Sequence, residues 1–254
     1  MKSMLKVDFR RMFTMPLLYI MAGTSLVIPI LVLVMTTMMD GSVSVDPVTG
    51  VETVMTGFSN TWQAIGSLSS ESSAMSMDLV SMCNINLLYF LVPVLVCIFI
   101  ADDFRSGYAK NLFTVRVKKS AYVISKTVVG FVGGTLMMLA YFVGTLLGGT
   151  ISGLSFDMGA AGVSGIVMCM LAKICLIGAF VAIPVLMSVI AKEKLWLSII
   201  GSLMVGMLLF MMIPMLTPLD AGIMNVVMCL VGGVLFGVLL GAISNLLLKK
   251  KSIL

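Results

Sequence analysis

Catalysis and binding need groups that hold metals, move protons or attack electrophiles, and this chain of 254 residues places few of them usefully. It has no histidine, which removes the commonest metal ligand and the commonest general base together. Cys83, Cys97, Cys169, Cys175 and Cys229 lie in or beside apolar stretches and form no CxxC pair; they read as buried thiols packing as small hydrophobes, and no metal site follows from them. No GxxxxGKS or GxxxxGKT phosphate loop occurs, so the chain lacks the usual cradle for a nucleotide. No Asp or Glu lies centrally in an apolar run, which leaves neither paired carboxylates for acid/base work nor the ionisable relay of an ion-coupled carrier. Lys173 is the one charge inside an apolar run. Burying it in lipid costs roughly 2.5–3.5 kcal/mol on insertion scales, so it must face protein, water or an interface. Two readings are open: Lys173 borders a polar cavity on a substrate pathway, or its span starts near residue 174 and the side chain snorkels to the outer headgroups.

The elements that position these residues are set by composition. Hydrophobic residues make up 60% of the chain and charged ones 11%, with a mean hydropathy of +1.16, whereas a soluble domain carries about 25% charged residues. A water-soluble core of this size is excluded. Six apolar runs, about 16–38, 81–101, 124–149, 164–190, 195–214 and 222–247, each approach the roughly 20 residues that a helical span requires. The expected fold is therefore all-α: one polytopic membrane domain over 1–254 with six transmembrane helices. The first run is too long for the ~7–15-residue apolar core of a signal peptide, so it reads as the first span.

Charge placement orients the spans. Lys2, Lys6, Arg10 and Arg11 precede the first, and Arg105, Lys110, Arg116, Lys118, Lys119 and Lys126 lie between the second and third. Lys192 and Lys194 follow the fourth, and Lys249, Lys250 and Lys251 the last. These alternate sides with the acidic segments that hold Asp40, Asp46, Glu52, Glu71, Asp78, Asp157 and Asp220. Because cytoplasmic segments collect Lys and Arg, both termini are expected in the cytoplasm, and the span count must be even. The basic residues read as topology signals, and no nucleic-acid partner is implied.

Residues 1–15, MKSMLKVDFRRMFTM, alternate basic residues with Met4, Leu5, Val7, Phe9, Met12 and Phe13. That spacing gives an amphipathic helix on the inner membrane surface or, alternatively, an ordinary basic flank that fixes topology. Pro16 marks the bend into the first span. The polar segment 39–80 is an external loop whose Phe58 and Trp62 rest on the headgroups or pack within the loop. Gly144 and Gly148, and Gly233, Gly237 and Gly241, fall four apart, so each set lines one helix face and permits close packing. Pro93, Pro184 and Pro214 are expected to kink spans two, four and five. Many of the 25 methionines fall in spans, as lipid-facing filler or as a surface that repacks around apolar ligands.

Between spans two and three the chain reads ADDFRSGYAKNLFTVRVKKSAYVISKTVVG, residues 101–130. Basic groups among Phe104, Tyr108, Leu112, Phe113 and Val115 describe a short amphipathic helix within 102–123. Its apolar side either packs into a groove on a partner domain or rests on lipid while the charges enforce topology. The segment resembles the first cytoplasmic loop of the type-2 ABC exporter permeases. The acidic position is Asp102 or Asp103, where the family usually has Glu, the glycine is Gly107, Lys110 and Asn111 lie in the helical stretch, Arg116 to Lys119 form the basic position, and Lys126 opens the next span.

Six spans and an amphipathic N-terminal helix are also similar to that family. The resemblance implies an ATPase-coupling loop of Asp103, Phe104, Gly107, Tyr108, Lys110, Phe113 and Arg116. It also implies separate ATP-binding cassette ATPase subunits that bind ATP and Mg, two membrane halves contacting through spans one and five, and no catalytic site or cofactor in this chain. It further implies outward movement of an amphiphilic peptide, lipid or drug across a bacterial cytoplasmic membrane. An ion-coupled carrier or channel, a membrane-embedded enzyme, and a non-transporting immunity protein or membrane anchor are the alternatives.

Overall fold

The computed structural model describes residues 2–45, 52–54, 57–66, 84–114, 118–159, 161–192, 194–210 and 212–250. Its helices are α1 (Lys2–Thr14), α2 (Pro16–Met39), α3 (Leu88–Arg105), α4 (Tyr108–Thr114), α5 (Lys119–Ser152), α6 (Gly162–Ala191), α7 (Leu195–Phe210), α8 (Ile213–Leu216) and α9 (Ile223–Lys250). A small antiparallel hairpin, β1 (Val43–Val45) with β2 (Glu52–Val54), and two 3-10 turns at Thr61–Ala64 and Ile85–Leu87 complete the described elements. Five segments, Pro16–Met39, Ile85–Arg105, Lys119–Ser152, Gly162–Ala191 and Ile223–Lys249, are long and apolar enough to cross a membrane. The chain is thus a helical, multi-pass membrane protein. The expected span 195–214 is different: α7 has 16 residues, about 24 Å at ~1.5 Å per residue and short of a full crossing. Pro214 stands in the first turn of α8, where its missing N–H interrupts no ladder, and so kinks no span.

Helices that are apolar on every side must be buried or face lipid. α3 and α6 occupy the centre, with Tyr89, Val92, Val96 and Phe99 of α3 in one core with Ile177, Phe180 and Val181 of α6, and the Tyr89 and Phe180 rings 4.6 Å apart. α5 packs against α2 on one side and against α3, α6 and α9 on the other; α7 lies on α3 and α6, and α9 runs mainly along α6. α7 turns a stripe of small buried residues inward, Ser198, Ser202 and Gly206. Outward-facing Val27 and Leu31 of α2, Met204 and Leu208 of α7, and Val234 and Val238 of α9 stay exposed, and bilayer hydrocarbon covers such rows at no hydrophobic cost.

Glycine decides where backbones meet. A Cβ at Gly144 would overlap the carbonyl oxygen of Leu26, and one at Gly148 would lie 2.9 Å from Ile30 Cα, so this pair seats α5 on α2 within the chain. The second set divides. A Cβ at Gly233 would sit 2.6 Å from the Cys175 carbonyl of α6, whereas Gly237 has nothing within 4 Å and Gly241 has only Val123 of α5, at 3.8 Å. Four residues turn an α-helix by slightly more than a full turn, so the ladder drifts off the contact with α6 and opens a gap beside α5.

On the side of the hairpin, Phe58 and Trp62 are buried and do not lie on headgroups. The Trp62 indole N–H donates to the Phe156 carbonyl at 3.1 Å, and Asn60 caps its 3-10 turn in a reciprocal box with Gln63. Replacing Gly148 by Leu is expected to abolish the monodisperse peak of the detergent-solubilised protein on size-exclusion chromatography, because backbone blocks the new side chain. Gly237→Ala, into open space, is expected to leave that peak and the Tm unchanged to within about 2 °C, since substitutions free of contacts usually cost under about 0.5 kcal/mol.

Candidate functional site

The N-terminal segment is a helix, α1, and its buried face is Met4, Asp8 and Met12, three residues at i, i+4 and i+8 that share one side. That face lies on α5. An acid in the middle of an apolar stripe requires a partner, since an isolated buried carboxylate is far too costly. Lys126 of α5 supplies it. Its Nζ stands 2.9 Å from Asp8 Oδ1 and 2.6 Å from Asp103 Oδ2, and all three side chains are fully buried. Asp103 comes from the last turn of α3, so one ammonium joins three helices.

Every oxygen of the two carboxylates has a partner. The Ser125 hydroxyl donates to Asp8 Oδ2 at 2.6 Å, and the Tyr122 hydroxyl to Asp103 Oδ2 at 3.0 Å. Arg11, one turn beyond Asp8 on α1, donates from Nη1 to Asp103 Oδ1 at 2.5 Å and places Nη2 3.4 Å from Asp102 at the solvent edge. Aromatic faces close the cluster: the Phe99 ring lies 4.0 Å from Lys126 Nζ, and the Tyr108 ring 4.3 Å from Arg11 Cζ, cation–π distances that suit desolvated charge. Asp8, Asp103, Lys126 and Arg11 sum to zero charge. Burial works against the Arg11 charge, but the Asp103 carboxylate and its hydrogen bond outweigh it and raise the guanidinium above its ordinary value. Burial, with Asp8 and Asp103 adding to it, raises the Tyr108 phenol, which therefore stays neutral against Arg11. The cluster fixes α1 to the ends of α3 and α5.

The expected coupling residues gather around this cluster, with differences. α3 runs on to Arg105 and α5 begins at Lys119, so the connection is shorter than 102–123. Gly107, at φ +74°, makes the turn into α4 that a side chain would strain. Asp103 is wholly buried and unavailable to a partner. Phe104 and Phe113, expected on a face offered outward, are half-buried and meet Tyr122 edge-on at 6.4 and 5.4 Å, because that apolar side finds a surface within the chain. The exposed residues of the described connection are Asp102, which Arg11 approaches, Arg105, Ser106, Lys110, Asn111, Thr114 and Lys118. Arg116 lies outside the described residues.

Lys173 belongs to a second polar cluster at the other end of α3, about 21 Å away along the 14 residues from Tyr89 to Asp103. It is fully buried and does not snorkel, since α6 begins 11 residues earlier, at Gly162. Its Nζ donates to Asn86 Oδ1 at 2.8 Å and to Thr217 Oγ1 at 2.9 Å, and the Tyr89 hydroxyl donates to the Lys173 carbonyl at 2.8 Å. Sequence reasoning missed Asp8 and read Lys126 chiefly as a topology signal. A signal for Asp8 was present: it is the only acid in the first 39 residues, spaced four from both Met4 and Met12.

Lys126→Met leaves Asp8 buried without its cation, and unfolding of the purified protein is expected to become easier by about 3–5 kcal/mol, the cost of removing one partner of a buried pair. The double variant Asp8→Asn, Lys126→Met is expected to lose clearly less than the sum of the two single changes. Additive losses, read by thermal unfolding, would mean that the pair does not interact.

A family model described as "ABC-2 family transporter protein" matches residues 9–208, about four-fifths of the chain and a stretch that takes in the second half of α1, both polar clusters except Asp8 and Thr217, and the connection through α4. No curated protein and no solved structure matches the chain. With the match covering far more than half its length, the chain belongs to the ABC-2 family of transporter proteins, as a multi-pass membrane component of an ABC transporter.

Proposed function

We propose that this chain is the permease of an ATP-driven exporter which moves an amphiphilic peptide, lipid or drug out across a bacterial cytoplasmic membrane, while separate subunits hydrolyse ATP. In this reading two copies, or one copy and a related chain, form the pathway, and both termini are cytoplasmic. α7, continued by α8, makes the sixth crossing, because the alternation of basic and acidic segments requires an even number. α1 lies along the cytoplasmic surface.

The observation that carries the reading is the tie between α4 and the membrane helices. α4 follows Asp103 after one glycine turn, and its Tyr108 stacks on Arg11, so a force on α4 reaches α1, α3 and α5 through charges that separate only at several kcal/mol. The docking face is the outward one, Arg105, Lys110, Asn111 and Thr114, which suits an acidic rim on an ATPase better than an apolar groove. Lys173 serves the pathway from the opposite end: in the closed arrangement it holds the outer ends of α3, α6 and α8 together, and in an open one it presents an ammonium to passing substrate.

Two experiments test this. Protein solubilised from its native membrane is expected to bring down an ABC ATPase, and the double change Arg105→Glu, Lys110→Glu to reduce recovery at least tenfold while the permease remains folded; absence of an ATPase from the wild-type sample would overturn the exporter reading. In reconstituted vesicles, Lys173→Met is expected to lower ATP-dependent transport at least fivefold. It is also expected to cost about 1–3 kcal/mol of stability, because Asn86 Oδ1 and Thr217 Oγ1 lose their donor. Unchanged transport would remove Lys173 from the pathway.

A further inference from the structure

The drift of the α9 glycines away from α6 leaves a groove between α5 and α9 of about 330 Å³, lined by Ile124, Thr127 and Val128 on one wall and Gly237, Gly241 and Asn245 on the other. That volume lies at the low end for small-molecule sites, roughly 300–1,000 Å³. The groove runs over eight residues of each helix, about 12 Å at ~1.5 Å per residue. One end is apolar. The other is flanked by basic residues: Lys118 and Lys249 are exposed, and Lys119 reaches across to donate to the Leu248 carbonyl at 2.6 Å, which fixes the N-terminus of α5 beside the C-terminus of α9. Neither wall carries a single acid over its whole length, and Lys126, which is paired with Asp8 and Asp103, belongs to the other face of α5.

Asn245 adds a second observation. It lines the groove, and its Oδ1 is buried without a hydrogen-bond donor. In hydrocarbon such an amide is costly unless something else satisfies it. It lies four residues, about 6 Å, inside Lys249, between the basic flank and the apolar length of the groove.

We infer that this groove binds an anionic glycerophospholipid of the adjoining leaflet. One acyl chain fills the space over Gly237 and Gly241, the ester region lies at Asn245, and the phosphate lies on Lys118, Lys119 and Lys249. Charge selects the occupant. A zwitterionic lipid offers the same chains but carries a cation toward three lysines, whereas basic pockets at the ends of membrane helices favour anionic headgroups. A second copy of this chain is disfavoured, because its equivalent surface brings a like-charged basic rim. The site is separate from the α1 and α4 cluster and does not depend on the direction of transport.

The test uses the full chain, with any co-purifying ATPase, in nanodiscs that contain either spin-labelled phosphatidylglycerol or spin-labelled phosphatidylcholine with matched chains. The motionally restricted fraction is expected to favour phosphatidylglycerol at least threefold. Gly237→Leu, which fills open space, is expected to remove the restricted population, and Lys118→Gln, Lys249→Gln to bring the two lipids level while keeping it. Equal restriction of both lipids by the wild type overturns the proposal, and so does a preference that survives both variants. Should a variant fail to fold, native mass spectrometry of the wild type from an equimolar lipid mixture decides: retained phosphatidylglycerol over phosphatidylcholine supports the site, and equal retention overturns it. Loss of a two-copy species on Gly237→Leu, with no lipid preference in the wild type, would assign the groove to a second copy and end the lipid reading.

Discussion

An ammonium buried between two carboxylates is the constraint around which this end of the molecule is organised. Lys126, Asp8 and Asp103 are each sealed from solvent, and desolvating any one of them alone costs several kcal/mol. The cost is offset only when all three are together with Arg11, Ser125 and Tyr122 in place. This makes the positions of α1, α3 and α5 interdependent in a way that apolar contact does not. Leucine against valine is tolerant of a slide by a fraction of a turn; a carboxylate 2.6 Å from an ammonium is not. The order of the chain follows from the same demand. α1 lies against α5 by Met4, Asp8 and Met12, the chain turns at Met15 and Pro16, and α2 runs back along α5, which keeps Asp8 beside the first turns of α5.

α5 carries two incompatible tasks on opposite ends. Its first turns bear polar groups, Tyr122, Ser125 and Lys126, toward α1 and α3. Its later turns bear Gly144 and Gly148 toward α2, where the Ile30 Cα leaves no room for a side chain at Gly148. With α2 held at one end by backbone contact and α1 at the other by charge, α5 serves as the post against which the N-terminal hairpin of helices is fixed. α9 is seated on α6 at Gly233 and by apolar packing, while polar ties hold its two ends: Asn225 Nδ2 donates to the Leu216 carbonyl at 3.2 Å and Lys119 Nζ to the Leu248 carbonyl at 2.6 Å. The gap beside α5 opens between these ends, where Gly237 and Gly241 carry no side chain.

Much of the architecture was legible from sequence, and the reasons are specific. Long apolar runs marked the helices able to cross a membrane, since helix length and hydropathy follow from one-dimensional transfer energies. Pro16 placed the start of α2 to the residue. The interruption between α7 and α8 was not legible, because LLFMMIPML is apolar throughout and hydropathy does not register where a helix stops. The inward turn of Phe104 and Phe113 was hidden for another reason: an amphipathic face looks the same whether its partner is another subunit or Tyr122 of the next helix. Lys126 was masked by the topology rule itself, which counts a basic residue near a span end as flank and never asks whether its side chain returns to the bundle.

The two polar clusters divide the labour between the ends of α3. At one end lie four formal charges that cancel; at the other, Lys173 meets, among the described residues, the neutral oxygens Asn86 Oδ1 and Thr217 Oγ1. A balanced cluster gains nothing from water until it is pulled apart, so it resists opening from the start. An ammonium held by neutral acceptors gives up less on parting from them, because hydration replaces two neutral hydrogen bonds more completely than it replaces two carboxylates. The middle of α3, from Val92 to Leu95, packs through apolar side chains, with the Cys97–Ser202 contact at 3.5 Å and the Phe99 ring on Lys126 as the directional contacts that follow it. In the proposed coupling through α4, a force there would move the charged end as one body, and relative motion of the helices would concentrate where their bonds are weakest, around Lys173.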